Sequence, residues 1–92
     1  MTLTQLDARA EQAGAEHADR VLEILETFPA EAAQEILDLA IGALGLVLEK
    51  VAKGLREHTA TPESEIKHFC ALVRAAYGAR LAVALMPAAG RG

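Results

Sequence analysis

The stretch PAEAAQEILDLAIGALGLVLEKVAKGLREH, residues 29–58, decides the fold class. Its apolar residues recur by three and four at Ala33, Ile36, Ala40, Leu44, Val47, Val51 and Leu55, the period of an amphipathic helix. Leu37, Ile41 and Leu48 widen that stripe, and Leu39 and Leu46 place apolar side chains on the far side. A helix that is apolar all round at its middle must be surrounded there. Pro29 disfavours helical geometry at Phe28 and suits the first position of a new helix, while Glu31 and Glu35 complement that helix's positive end.

Helical periodicity continues on both sides, and no stretch alternates as a half-buried strand does. Towards the N-terminus, Thr2 to Gln5 fits a capping box, followed by a stripe through Leu3, Leu6, Ala10, Ala13, His17, Val21, Ile24 and Phe28. Between Asp7 and Arg20 that stripe offers only Ala, Gly and His, so the first turns are expected to be mobile or held by a partner. Towards the C-terminus, Thr61 reads as an N-cap with Pro62 at the first helical position and acids in the first turn. The third seam is Ile66, Cys70, Val73, Tyr77, Leu81 and Ala84, flanked by Phe69 and Val83, and Pro87 ends it. The expected architecture is all-α and a single domain over 1–92, with helices at about 3–28, 29–58 and 62–86 and a loose tail at 87–92. The short link at His58 to Ala60 predicts that the second and third helices form a long antiparallel hairpin preceded by the N-terminal helix.

Composition bounds what such a chain does. At 92 residues it hides a modest share of its surface, and 52% of the chain is hydrophobic with only 3% aromatic, so each buried side chain contributes little area. Stability then has to come from many small contacts or from a second copy, and a homodimer is expected. The net charge of −4 argues against direct nucleic acid binding, which needs clustered Lys and Arg. Charge is unevenly spread: Met1 to Asp38 hold nine acids and two bases, Leu39 to Gly92 four acids and seven bases, so the two parts should attract each other. Cys70 is the one cysteine, which excludes an internal disulfide. The N-terminus lacks a basic stretch followed by an apolar core, and the longest apolar run, Leu39 to Leu48, is half a membrane span. A cytoplasmic protein without membrane contact is the expectation.

Chemistry-bearing constellations are sparse. Glu65 and His68 make one Glu-x-x-His step, the spacing that carboxylate-bridged di-iron bundles use, but the facing middle of residues 29–58 offers no further carboxylate, so a metal-binding helical protein is the alternative and not the first reading. Cys70 lies on the apolar seam and two residues from His68, which points the two side chains apart. There is no His-x-x-x-His, Cys-x-x-Cys, phosphate-binding glycine loop or Gly-x-Ser-x-Gly. No catalytic residue, metal or cofactor is expected. Gly42 and Gly45 stand out, because glycine inside a helix costs ~1 kcal/mol against Ala. They predict close backbone approach, either by the first helix or by another chain. Glu31, Glu35 and Asp38 form an acidic edge, and Arg74 and Arg80 a basic one able to steer a partner. The expected contact residues are therefore Leu39, Gly42, Gly45, Leu46, Arg74 and Arg80.

From Phe28 to Pro87 the chain resembles the TraM family of small helical antiactivators. Phe28-Pro29 opens a long helix holding Ile36, Ala40-Ile41 and Glu49-Lys50, and Ile66-Lys67, Phe69 and Ala71 open a second that ends in Leu85-Met86-Pro87. The resemblance implies a dimeric protein that binds a LuxR-type quorum-sensing transcription factor through helical surfaces and blocks its DNA binding. The helical co-chaperone of type III secretion needle subunits is similar in outline. A non-enzymatic protein–protein interaction module is the functional expectation common to both.

Overall fold

The computed structural model describes residues 3–85. Three helices account for nearly all of them: α1 (Leu3–Thr27), α2 (Ala33–His58) and α3 (Glu63–Leu85), and no strand occurs among the described residues. The all-α expectation holds, and the helix limits agree with those read from periodicity to within a few residues. The capping box at Thr2, the stop at Pro87 and the tail after it lie outside the described residues.

The junctions show how proline and threonine set those limits. Pro29 is extended (φ −60°, ψ 151°) and its carbonyl accepts from the Ala32 amide at 3.0 Å, so a single 3-10 turn, Ala30–Ala32, precedes α2. The Pro62 carbonyl accepts from the amides of Glu65 (3.0 Å) and Ile66 (3.1 Å), which makes Pro62 the N-cap of α3. Thr61, expected in that role, instead shares a hydroxyl contact of 2.8 Å with Thr59. The turn is clamped from both sides by Arg56, whose Nε and Nη2 donate to the two carboxylate oxygens of Glu63 at 2.8 and 2.6 Å.

The pairing of the helices departs from the expected hairpin. α3 packs along its length on α1, and α2 touches each of the other two over a much smaller area. Asp7 faces His68 at 3.3 Å, and Asp19 faces Arg80 at 2.9 Å. The offset along the chain is the same in both pairs, so α1 and α3 run parallel. Between those pairs sits Gly14: a Cβ there would fall against the Val73 carbonyl, 2.8 Å from Ala76 Cβ and 2.9 Å from the Tyr77 amide. Ala10 and Ala18, one turn to either side, are fully buried (0% exposed). A row of small residues at four-residue spacing thus lets two backbones approach, and the N-terminal stretch expected to be mobile or held by a partner is one wall of the core. The acidic first part and basic last part attract each other within one chain through Asp19–Arg80.

α2 lies across this pair on Leu44, Leu48 and Ala52, its buried residues. They form a four-residue row, which is inclined to the helix axis and suits a crossing contact better than a lengthwise seam. Val47 and Val51, expected inside, are exposed. The cluster formed by Ala10, Ala18, Val21, Leu44, Leu48, Val73 and Tyr77 joins all three helices. Among the described residues, Ile66 and Val73 are the largest side chains buried in full. α3, 23 residues long, contains an 18-residue window with a mean hydropathy of 1.2, so by length and composition it could cross a membrane, and 11% of that window is buried within the protein.

Candidate interaction surface

His17 fastens α2 to the other two helices. Its Nε2 lies 3.1 Å from the Ala40 carbonyl, and its ring centroid is 5.2 Å from that of Tyr77 at an interplanar angle of 55°. Because a carbonyl only accepts, Nε2 carries the proton in this contact. Burial pushes the Tyr77 phenol above its ordinary value. The reading of His17 as one more member of the first stripe missed this role. The signal available was a polar ring at the one point where that stripe lacked large apolar neighbours.

Between this junction and the link that joins α1 to α2, the two helices border an open cleft of about 700 Å³. Its walls are Val21, Ile24 and Phe28 on one side and Ile36, Leu39, Ala40 and Val47 on the other, with Arg20 and Glu35 at the rim. Ile24, Phe28, Leu39 and Val47 remain exposed there. A second cleft, about 530 Å³, lies at the opposite end of α2 between Leu6, Val51, Leu55, Pro62 and Phe69. Such concave, mostly apolar surfaces receive amphipathic helices, and large exposed apolar patches on a small chain mark contact sites.

The residues expected to make contacts fall in different places. Leu39 (75% exposed) and Leu46 (63%) project outward from α2. A Cβ at Gly42 or Gly45 would meet nothing within 4 Å, so neither glycine makes room for α1, and that half of the expectation is withdrawn. Arg80 is engaged by Asp19 through Nε (2.9 Å) and Nη2 (3.4 Å) and serves the α1–α3 pair instead of a basic edge. Arg74 is exposed, well separated from Arg80 around the helix. Glu65 lines the second cleft while His68 turns to Asp7, and no group of three or more His, Cys, Asp or Glu converges as a metal site would require among the described residues. Cys70 is half-buried at the edge of the core. The chain matches no family model, and no curated protein or solved structure shows significant similarity to it.

Proposed function

We propose that this protein is a non-enzymatic protein–protein interaction module that takes up a helix of another protein in the cleft between α1 and α2. The observation that supports the reading is the concentration of exposed large apolar side chains there: Ile24, Phe28, Leu39 and Val47 around one cleft of helix-binding size. A helix laid between α1 and α2 would cover those side chains by the packing that joins helices within a core. Arg20 and Glu35 at the rim would set its direction through charge. In the form that the TraM resemblance implies, the bound helix belongs to a LuxR-type transcription factor, and holding it keeps that factor from DNA.

The test compares wild-type protein with an Ile24→Glu/Phe28→Glu variant as bait in extracts of the cells that make it. A protein retained by the wild type and released by the variant, whose circular dichroism is unchanged, is the expected result, and its sequence tells whether it is a transcription factor. Retention of the same proteins by both baits would overturn the reading.

A further inference from the structure

We propose that the outer face of α2 binds the same face of a second copy of this chain, the two α2 helices running antiparallel with Leu39 of each against Leu46 of the other. This rests on the reading above in taking the exposed surface of α2 as a protein-contact surface, and because Leu39 and Glu35 also border the α1–α2 cleft, a second copy and a foreign helix share those two residues.

The order of residues on that face carries the argument. At 3.6 residues per turn, Glu35, Leu39, Gly42, Leu46, Lys50 and Lys53 share an arc of roughly 80°. All six are exposed. Read from the N-terminus, the face is acidic, then apolar, then basic, and it ends at Glu57, which shares the arc and pairs with Lys53 at 3.9 Å within the chain. Glu35 precedes Leu39 by four residues and Lys50 follows Leu46 by four, so one antiparallel register sets leucine against leucine and Glu35 against Lys50 at both ends. A parallel pair would set Glu35 on Glu35 and Lys50 on Lys50. Neither Glu35 nor Lys50 forms an ion pair within its own chain among the described residues. Gly42 lies midway between the leucines, close to where the two-fold axis would pass, with nothing within 4 Å of a Cβ placed on it. With no side chain there, a second backbone can approach closely at that point.

Area points the same way. The chain exposes 6451 Å², ends included, against about 5,100 Å² for a compact monomer of 9.7 kDa. Its radius of gyration is 15.1 Å, against about 12 Å for a compact chain of this length. A standard interface buries ~800 Å² from each partner. A two-fold symmetric pairing also uses the surface once per copy and closes, as homodimers do.

Sedimentation of the full chain with paired charge reversals tests the proposal. Wild type should sediment as a dimer. Glu35→Lys and Lys50→Glu should each weaken self-association by about tenfold at low salt, because each sets like charges opposite one another twice. An equimolar mixture of the two variants should recover the wild-type affinity, since each supplies the charge that the other lacks. Direction is read from disulfides in a Cys70→Ala background: mixed Leu39→Cys and Leu46→Cys chains should cross-link, and Leu39→Cys alone should not. A wild-type monomer at 100 μM, a dimer indifferent to both reversals, or cross-linking of Leu39→Cys with itself would each overturn the proposal. Failure here is separable from failure of the cleft reading: a monomer that still holds a partner released by Ile24→Glu/Phe28→Glu loses only the second copy, whereas a dimer as described that retains no other protein loses only the foreign partner.

Discussion

His17 reaches from α1 to the Ala40 carbonyl of α2, 3.1 Å away, while its ring rests on Tyr77 of α3. One side chain therefore holds three helices in register at the point where the α1–α2 cleft begins, and the seating of α2 depends on it together with Leu44 and Leu48.

Replacing His17 with Ala removes that hydrogen bond and the ring contact. The expected loss is about 1–2 kcal/mol in global stability, from a part-buried hydrogen bond and an aromatic contact. Amide exchange should accelerate most in the first half of α2, around Ala40. Uniform acceleration along all three helices would show that His17 does not fasten α2 in particular.

The glycines should separate into two classes. Gly14→Ala drives a methyl group into the Val73 carbonyl and the Tyr77 amide, both main-chain atoms that move only if α1 and α3 part, so the cost should reach at least ~1–3 kcal/mol. Gly54→Ala and Gly78→Ala add a methyl group to open space within a helix and should stabilise by up to about 1 kcal/mol. Thermal melts of the three variants decide, and equal shifts for all of them would mean that α1 and α3 are not in close contact at Gly14.

Leu48→Ala and Val47→Ala examine which side of α2 faces the core. Leu48 is buried and Val47 is not, so the first should cost ~2–5 kcal/mol and the second under about 1 kcal/mol. Chemical denaturation measures both. The reverse order would restore the lengthwise seam that periodicity alone suggests.

Acid should release the clamp between α2 and α3. The hydrogen bonds from Arg56 hold the Glu63 carboxyl below its ordinary value, and the guanidinium of Arg56 is correspondingly raised. A carboxyl depressed in the folded state stabilises fully above its unfolded value and loses that contribution as pH falls through the lower, folded one. The melting temperatures of wild type and Glu63→Gln should thus differ by a small, constant amount above about pH 5 and converge in acid. The pair is exposed, so 0.5 M salt should shrink the difference. A difference that grows as pH falls would contradict this sign.

Periodicity and proline made the helices legible, because Pro29 and Pro62 act through backbone geometry that their neighbours cannot override. Helix pairing was not legible in the same way. A search for large apolar residues passes over Ala10, Gly14 and Ala18, yet their small size at four-residue spacing is what brings α1 against α3. The same search placed Val47 and Val51 inside α2, whereas a crossing contact selects Leu44, Leu48 and Ala52 and leaves the valines out. On the candidate surface, Leu39 and Leu46 were legible as apolar residues on the wrong side of a filled stripe. The cleft beside them was not, since it depends on how α1 and α2 are set between His17 and the link that joins them.

The parallel contact between α1 and α3 also dictates when the chain folds during synthesis. Asp19 and Arg80, bonded across it, are separated by 61 residues, and Gly14 has no surface to lie on until Tyr77 has been made. Translation at about 5–20 residues per second separates the making of α1 from that of α3 by a time on the order of seconds. In that interval the Ala-rich face of α1 is bare. Its small side chains and its acids make it a poor seed for aggregation, so the modest apolar surface that makes this core thin also protects it while it is unfinished.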